Sequence, residues 1–129
     1  MKRTYPVVLT QNEKTVLVFV PDFEINTEGK DFADAIEMAR DAIGLTGICI
    51  EDEGSELPLS SEVKAIKAEP DDIVTLVDID FDIYRKKNDM RTVRRNVTLP
   101  AYLDYAASES GINVSALLQT ALKKALSFE

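Results

Sequence analysis

The sequence has no histidine, no tryptophan and a single cysteine, Cys49. Without histidine there is no Ser/His or Cys/His catalytic pair and no His-based zinc site. One cysteine forms no internal disulfide, so the thiol content does not point to an oxidising compartment. No run approaches the roughly eighteen apolar residues that a membrane helix needs. The start, Met1-Lys2-Arg3-Thr4-Tyr5-Pro6, lacks the apolar core of a secretory signal. The expectation is a cytoplasmic protein with no membrane partner, no catalytic residues, no metal and no cofactor. Most common hydrolase mechanisms are excluded.

What is present is 129 residues, 45% hydrophobic and 29% charged, with a net charge of −8. That composition belongs to a globular chain, one domain or a small domain with an appendage. The charge is unevenly placed. Residues 1–84 hold 7 Lys/Arg against 19 Asp/Glu, a net −12, whereas residues 85–129 hold 8 against 4, a net +4. Six of those basic residues fall between Arg85 and Arg95, with Asp89 the one acid among them. Such asymmetry suggests two surfaces with two partners: a basic protein for the body and a polyanion such as nucleic acid for the tail. The bland alternative is an acidic domain followed by a solvated basic linker.

Thr4–Thr10 and Thr15–Val20 are apolar, β-branched runs around Gln11-Asn12-Glu13-Lys14, which reads as a hairpin closed by Pro21-Asp22. A weaker strand through Glu24–Thr27 is expected to stop at Gly29. Phe32, Ala35, Ile36, Ala39, Ala42 and Ile43 share one helical face, and Asp31 is placed to cap it. Gly44 and Gly47 weaken the end of that helix, although Leu45, Ile48 and Cys49 could extend it. After a loop at Glu53–Pro58, a strand is expected from Ile73 to Ile83. Its alternation sets Val77, Ile79, Phe81 and Ile83 on one face and Asp78, Asp80 and Asp82 on the other. Acids that clamp Mg²⁺ for two-metal chemistry converge from different elements. Three acids in a row on one strand read instead as a solvated face or a docking surface. The fold class is α+β: a small antiparallel sheet with one covering helix, followed by a second module.

From Arg91 the pattern changes. Arg91–Pro100 alternates as a short strand, with Val93, Val97 and Leu99 on one face and Arg94, Asn96 and Thr98 on the other. Arg95 intrudes on the apolar face. Pro100 suits the first turn of a helix through Tyr102, Leu103, Ala106 and Ala107, and Gly111 suits its left-handed end. Asn113 is a favourable cap for a second helix carrying Val114, Leu117, Leu118, Ala121, Leu122, Ala125 and Leu126. One strand and two helices in about 39 residues do not make a stable monomer. Two copies would pair their strands as a ribbon and close a shared core. Such a ribbon fits the DNA major groove, where Arg94 can grip guanine, Asn96 adenine, and Thr98 a polar edge or thymine methyl. The N–H groups near Asn113, Val114 and Ser115 would hold a phosphate, as would Lys86 and Arg91. A dimerising arm that never touches DNA is the alternative.

Val97-Thr98-Leu99-Pro100, the preceding Arg94-x-Asn96 and Gly111-Ile112-Asn113-Val114-Ser115 resemble the ribbon-helix-helix repressors. The front half carries Tyr5-Pro6-Val7-Val8, Val18-Phe19-Val20-Pro21-Asp22, Thr27-x-Gly29, Phe32-Ala33-Asp34-Ala35 and Ala39-Arg40-Asp41-Ala42-Ile43. It is similar to the HicB antitoxins of HicA–HicB toxin–antitoxin modules, in which the two parts occur in this order. The resemblance implies a front domain (1–84) of partial ribonuclease-H-like fold that is not an enzyme and binds a HicA-type toxin, a small basic protein that cleaves mRNA. It also implies a basic linker (85–90) and a ribbon-helix-helix domain (91–129) that forms homodimers and represses the module's own promoter by binding operator double-stranded DNA. Dimer and tetramer both stay open. Arg95 stands where the family more often has an apolar residue, which turns it toward a phosphate. The glycines between Gly44 and Ile50 would end the first helix early. A regulator whose front domain senses a small ligand is the runner-up, and a ribonuclease-H-type nuclease is the third reading, opposed by the collinear aspartates.

Overall fold

The computed structural model describes residues 1–128. Strands β1 (Lys2–Gln11) and β2 (Val16–Val20) form the expected hairpin, closed by the Asn12 N–H donating to the Thr15 carbonyl at 2.8 Å. A 3-10 turn at Pro21–Phe23 and a left-handed Glu24 (φ 53°) lead into β3 (Ile25–Gly29). β4 (Ile73–Asp80) pairs with the other side of β1, and the antiparallel order is β3-β2-β1-β4. β3 stops at Gly29 as expected, with that buried glycine as its last residue. A Cβ there would stand 2.3 Å from the Ala35 backbone nitrogen, so only glycine lets the strand run this close to the next helix.

That helix, α1, spans Phe32–Asp52 and starts as its sequence requires: the Asp31 carboxylate accepts from the Asp34 N–H at 2.8 Å. Ala35, Ala39 and Ile43 are fully buried on the inner sheet face, against Tyr5, Val7, Leu9, Val16, Val18, Val20, Val77 and Ile79. Ile36 is partly buried, while Phe32 at the first turn remains 39% exposed. The early end expected from Gly44 and Gly47 is not found. Both glycines are buried inside α1, and what they accommodate is α2 (Phe81–Lys87). A Cβ on Gly44 would meet the Tyr84 ring at 2.6 Å, and one on Gly47 would meet Phe81 Cε1 at 2.2 Å.

The long strand expected through Ile83 is shorter for a related reason. Asp80 turns the chain, its carboxylate accepting from the N–H groups of Asp82 (3.0 Å) and Ile83 (3.3 Å) as the cap of α2. The helical turn places Phe81 and Tyr84 three residues apart on one face, matching the three-residue spacing of Gly47 and Gly44. Ile83, expected on the buried face, is instead 49% exposed. Arg85 anchors the far end, donating to the Asp52 carboxylate at 2.9 Å. Residues 85–87, expected in a linker, are therefore helical.

The chain divides into two compact units, Met1–Met90 and the residues from Arg91 onward. The second holds α3 (Ala101–Glu109) and α4 (Val114–Ala125). Gly111 is left-handed (φ 66°), and the Asn113 side chain accepts from the Ala116 N–H at 3.0 Å, as expected. The strand expected over Arg91–Pro100 is absent from the single chain. A ladder needs a second strand, and this unit offers none of its own.

Gly47→Ala should lower unfolding free energy by up to about 2 kcal/mol in a denaturant titration, the net of roughly 1–3 kcal/mol of overpacking against Phe81 and the ~1 kcal/mol gained in helix propensity. Tyr84 supplies a second check. Burial first, and the Asp41 carboxylate accepting its hydroxyl at 2.8 Å second, push its phenol up to about 12. A folded pKa above the unfolded one means stability that is complete below about pH 10 and lost as pH rises through about 12. Tyr84→Phe should remove both that alkaline step and the latest phenolate transition in an absorbance titration.

Candidate functional site

The residues expected to read bases, Arg94, Asn96 and Thr98, lie in the ten-residue segment that precedes α3, and every residue of that segment is exposed. Their alternation places them at every second position, but no ladder fixes their side chains in the single chain. Val93, Val97 and Leu99, at the intervening apolar positions, are 80%, 51% and 41% exposed. Arg95 is exposed in the same segment, and Arg91 opens it.

The rest of this unit is equally open. Leu103, Ile112, Leu117, Leu122 and Leu126 are each between 45% and 62% exposed, and only Ala107 and Leu118 among its described residues are partly buried. Two helices with apolar side chains in solvent leave a large exposed apolar surface in the single copy. The first turn of α4 carries Val114 and Ser115, with Asn113 committed to the cap. Lys86 is exposed in the last turn of α2, beside Lys87, where cations are favoured by the helix dipole.

In the first unit the three aspartates do not share one strand face. Asp78 and Asp80 are on β4, and Asp82 is in the first turn of α2. Asp78 lies 3.2 Å from Lys2 Nζ and accepts from Arg40 Nη2 at 3.1 Å; these cations hold its carboxyl below the usual carboxylate range. Arg40 also donates through Nε to the Asp78 carbonyl at 2.9 Å and pairs with Glu37. Asp80 is held low by the Ile83 N–H and by the Met1 ammonium at 3.3 Å, and Asp82 pairs with the same ammonium. The row therefore works in caps and ion pairs that tie β1, α1, β4 and α2 together. Among the described residues no group of three or more His, Cys, Asp or Glu is gathered as a metal site would require.

Sequence reasoning missed the role of Arg40, the Tyr84–Asp41 bond and the outer sheet face. The last had a signal. Tyr5-Pro6-Val7-Val8-Leu9 and Val16-Leu17-Val18-Phe19-Val20 are continuous apolar runs, and continuous runs belong to strands covered on both faces.

A family model described as the HicB-like antitoxin of bacterial toxin–antitoxin systems matches residues 5–121. Among solved structures, a toxin–antitoxin complex from Streptococcus pneumoniae is similar at 22% identity and a TM-score of 0.61, covering 96% of this chain and 99% of that one. The antitoxin HicB of Burkholderia pseudomallei is similar at 23% identity and a TM-score of 0.53, with 96% of each chain covered. A HicA3–HicB3 toxin–antitoxin complex matches at 22% identity and a TM-score of 0.50, over 60% of this chain and 99% of that one. No curated protein matches the chain. At these identities the structures support the fold, an α+β arrangement of one four-stranded antiparallel sheet and four helices. The family model spans most of the chain, and the protein belongs to the HicB-like antitoxins of bacterial toxin–antitoxin systems.

Proposed function

We propose that this protein is a cytoplasmic, non-enzymatic antitoxin that binds and neutralises a HicA-type mRNA-cleaving toxin and represses its own operon. The observation that carries the reading is the coincidence of charge and structure. The stretch of net −12 lies within the first compact unit, and the basic cluster Arg85–Arg95 spans the break after Met90. The family supports the antitoxin role, as do two similar structures that are toxin–antitoxin complexes. In this reading the front domain, with its partial ribonuclease-H-like sheet and helix, holds the toxin. The acidic surface speeds encounter with a basic partner, most strongly at low salt.

The second unit is read as a ribbon-helix-helix domain. Its apolar side chains remain in solvent in one copy, which supports a homodimer in which α3 and α4 close a common core. The segment Arg91–Pro100 would then gain its missing partner from the second copy, and Arg94, Asn96 and Thr98 would face the major groove. Lys86, Arg91, Arg95 and the start of α4 at Asn113, Val114 and Ser115 would contact phosphates. One observation favours the small-ligand alternative: a groove of about 290 Å³ between α1 and α2, lined by Glu37, Asp41, Ile83 and Tyr84 among others. A short basic reading frame beside this one favours the antitoxin.

A fragment ending at Met90, which keeps α2 whole, should still bind the toxin and block RNA cleavage while losing operator binding. A folded fragment that leaves the toxin active would assign neutralisation elsewhere. In the full chain, Arg94→Ala should lower specific operator affinity by roughly 1–3 kcal/mol for each base that is no longer gripped, and relax discrimination at one symmetric pair of positions. Lys86→Ala should weaken binding to operator and scrambled DNA alike and flatten the salt dependence. Gel-shift titrations at several salt concentrations separate the two behaviours.

A further inference from the structure

The sheet has a second face, turned away from α1, and it is apolar where a solvated face would be polar. Pro6 and Val8 of β1 point to it, flanked in register by Phe19 of β2 and by Val74 and Leu76 of β4. Pro6 and Val8 are buried, yet Leu17, Phe19 and Leu76 around them are 41%, 40% and 52% exposed. The connection between α1 and β4 passes beside this face and leaves a groove of about 320 Å³, with Val8 and Phe19 on one side and Lys67, Glu69 and Asp72 on the other. That wall is fixed: the Thr10 hydroxyl donates to Asp72 at 2.8 Å, and Asp72 accepts from the Glu69 N–H at 3.1 Å. Glu28 and Asn26, opposite Leu17 and Phe19 in the β2–β3 register, extend a polar border along β3. The exposed apolar side chains of Leu17, Phe19 and Leu76, beside a polar, acidic border, have the anatomy of a protein interface.

Charge selects the occupant. Two copies meeting through this face would bring together two stretches of net −12, whereas a basic partner gains from the same field. We infer that the toxin docks on this outer sheet face, with Phe19 as the buried anchor and an apolar or long basic side chain of the toxin in the groove beside it. The inference rests on the antitoxin reading and names its surface. The competing surface is the solvent side of α1, where Met38 and Leu45 are 40% and 57% exposed. It lies on the opposite side of the unit, across α1 from the sheet.

The test uses this protein and a HicA-type toxin, the product of the short basic reading frame that the antitoxin reading expects beside it, with binding followed by titration calorimetry and neutralisation by RNA cleavage. Phe19→Thr and Leu76→Thr keep strand-forming residues on two different strands, and each should weaken binding roughly ten- to thirty-fold while a cooperative melting curve shows that the protein remains folded at the assay temperature. Glu69→Lys, an exposed change with no folding demand, should slow association at low salt. Leu45→Gln should leave affinity within about twofold of the unchanged protein, a surface change outside the contact. Normal binding by folded Thr variants together with unaltered association of Glu69→Lys overturns the inference, as does a loss confined to Leu45→Gln; the antitoxin reading survives either result. Failure of the unchanged protein to bind or block the toxin overturns that reading, and the inference with it.

Discussion

The first unit is organised by how closely α1 can approach its neighbours. Ala35 and Ala39 let the helix settle on the sheet, and Gly29 lets β3 pass against its first turn. Gly44 and Gly47 leave room on its flank for two aromatic rings. Each of these positions has a small side chain or none, and the large side chains come from the other partner: Tyr5, Leu9, Phe81 and Tyr84. Alternating small and large across an interface fills it at interior density without strained rotamers. The helix accepts two glycines, each unfavourable by about 1 kcal/mol against alanine, because the packing of Phe81 and Tyr84 exceeds that loss.

The same constraint explains where sequence reading succeeded and where it did not. Hairpin, cap and helix start were legible because each is local: Asp31 and Asn113 cap, and Gly111 turns left-handed, from chemistry contained within a few residues. The end of α1 and the end of β4 were not. Gly44 and Gly47 carry a weak local signal against helix, and Asp78-Ile79-Asp80-Phe81-Asp82-Ile83 a strong local signal for strand. Both are overridden by one long-range contact between α1 and α2, which neither segment contains by itself. Asp80 can end a strand and begin a helix with the same carboxylate, and alternation does not distinguish these outcomes until Phe81 has a place to go.

The candidate site divides along the same line. The residue types of Arg94, Asn96 and Thr98 and their spacing can be read directly, since period-two alternation needs no tertiary information. Their geometry cannot, because the strand that would order them belongs to another molecule in the proposed dimer. In the single chain that stretch carries no ladder, and the helices beside it expose their leucines. Arg40 was hidden for the converse reason: it reaches from α1 to Asp78 on β4, 38 positions away, and no local pattern announces such a pairing.

Both units leave apolar surface in solvent, but the kind of surface differs. In the second unit it belongs to helices with no core beneath them, and such a surface demands a partner for stability itself. In the first unit, Leu17, Phe19 and Leu76 border fully packed Pro6 and Val8 on a sheet whose other face is already closed by α1. Leaving them exposed does not endanger the fold, so a partner docked there, as inferred above, would be free to come and go. Both conditions suit the proposed function, in which a dimer on an operator would persist while a toxin is captured and released. In that proposal, lasting association would follow from a core that one copy does not complete, and reversible association from an acidic-bordered face that is already folded before a partner arrives.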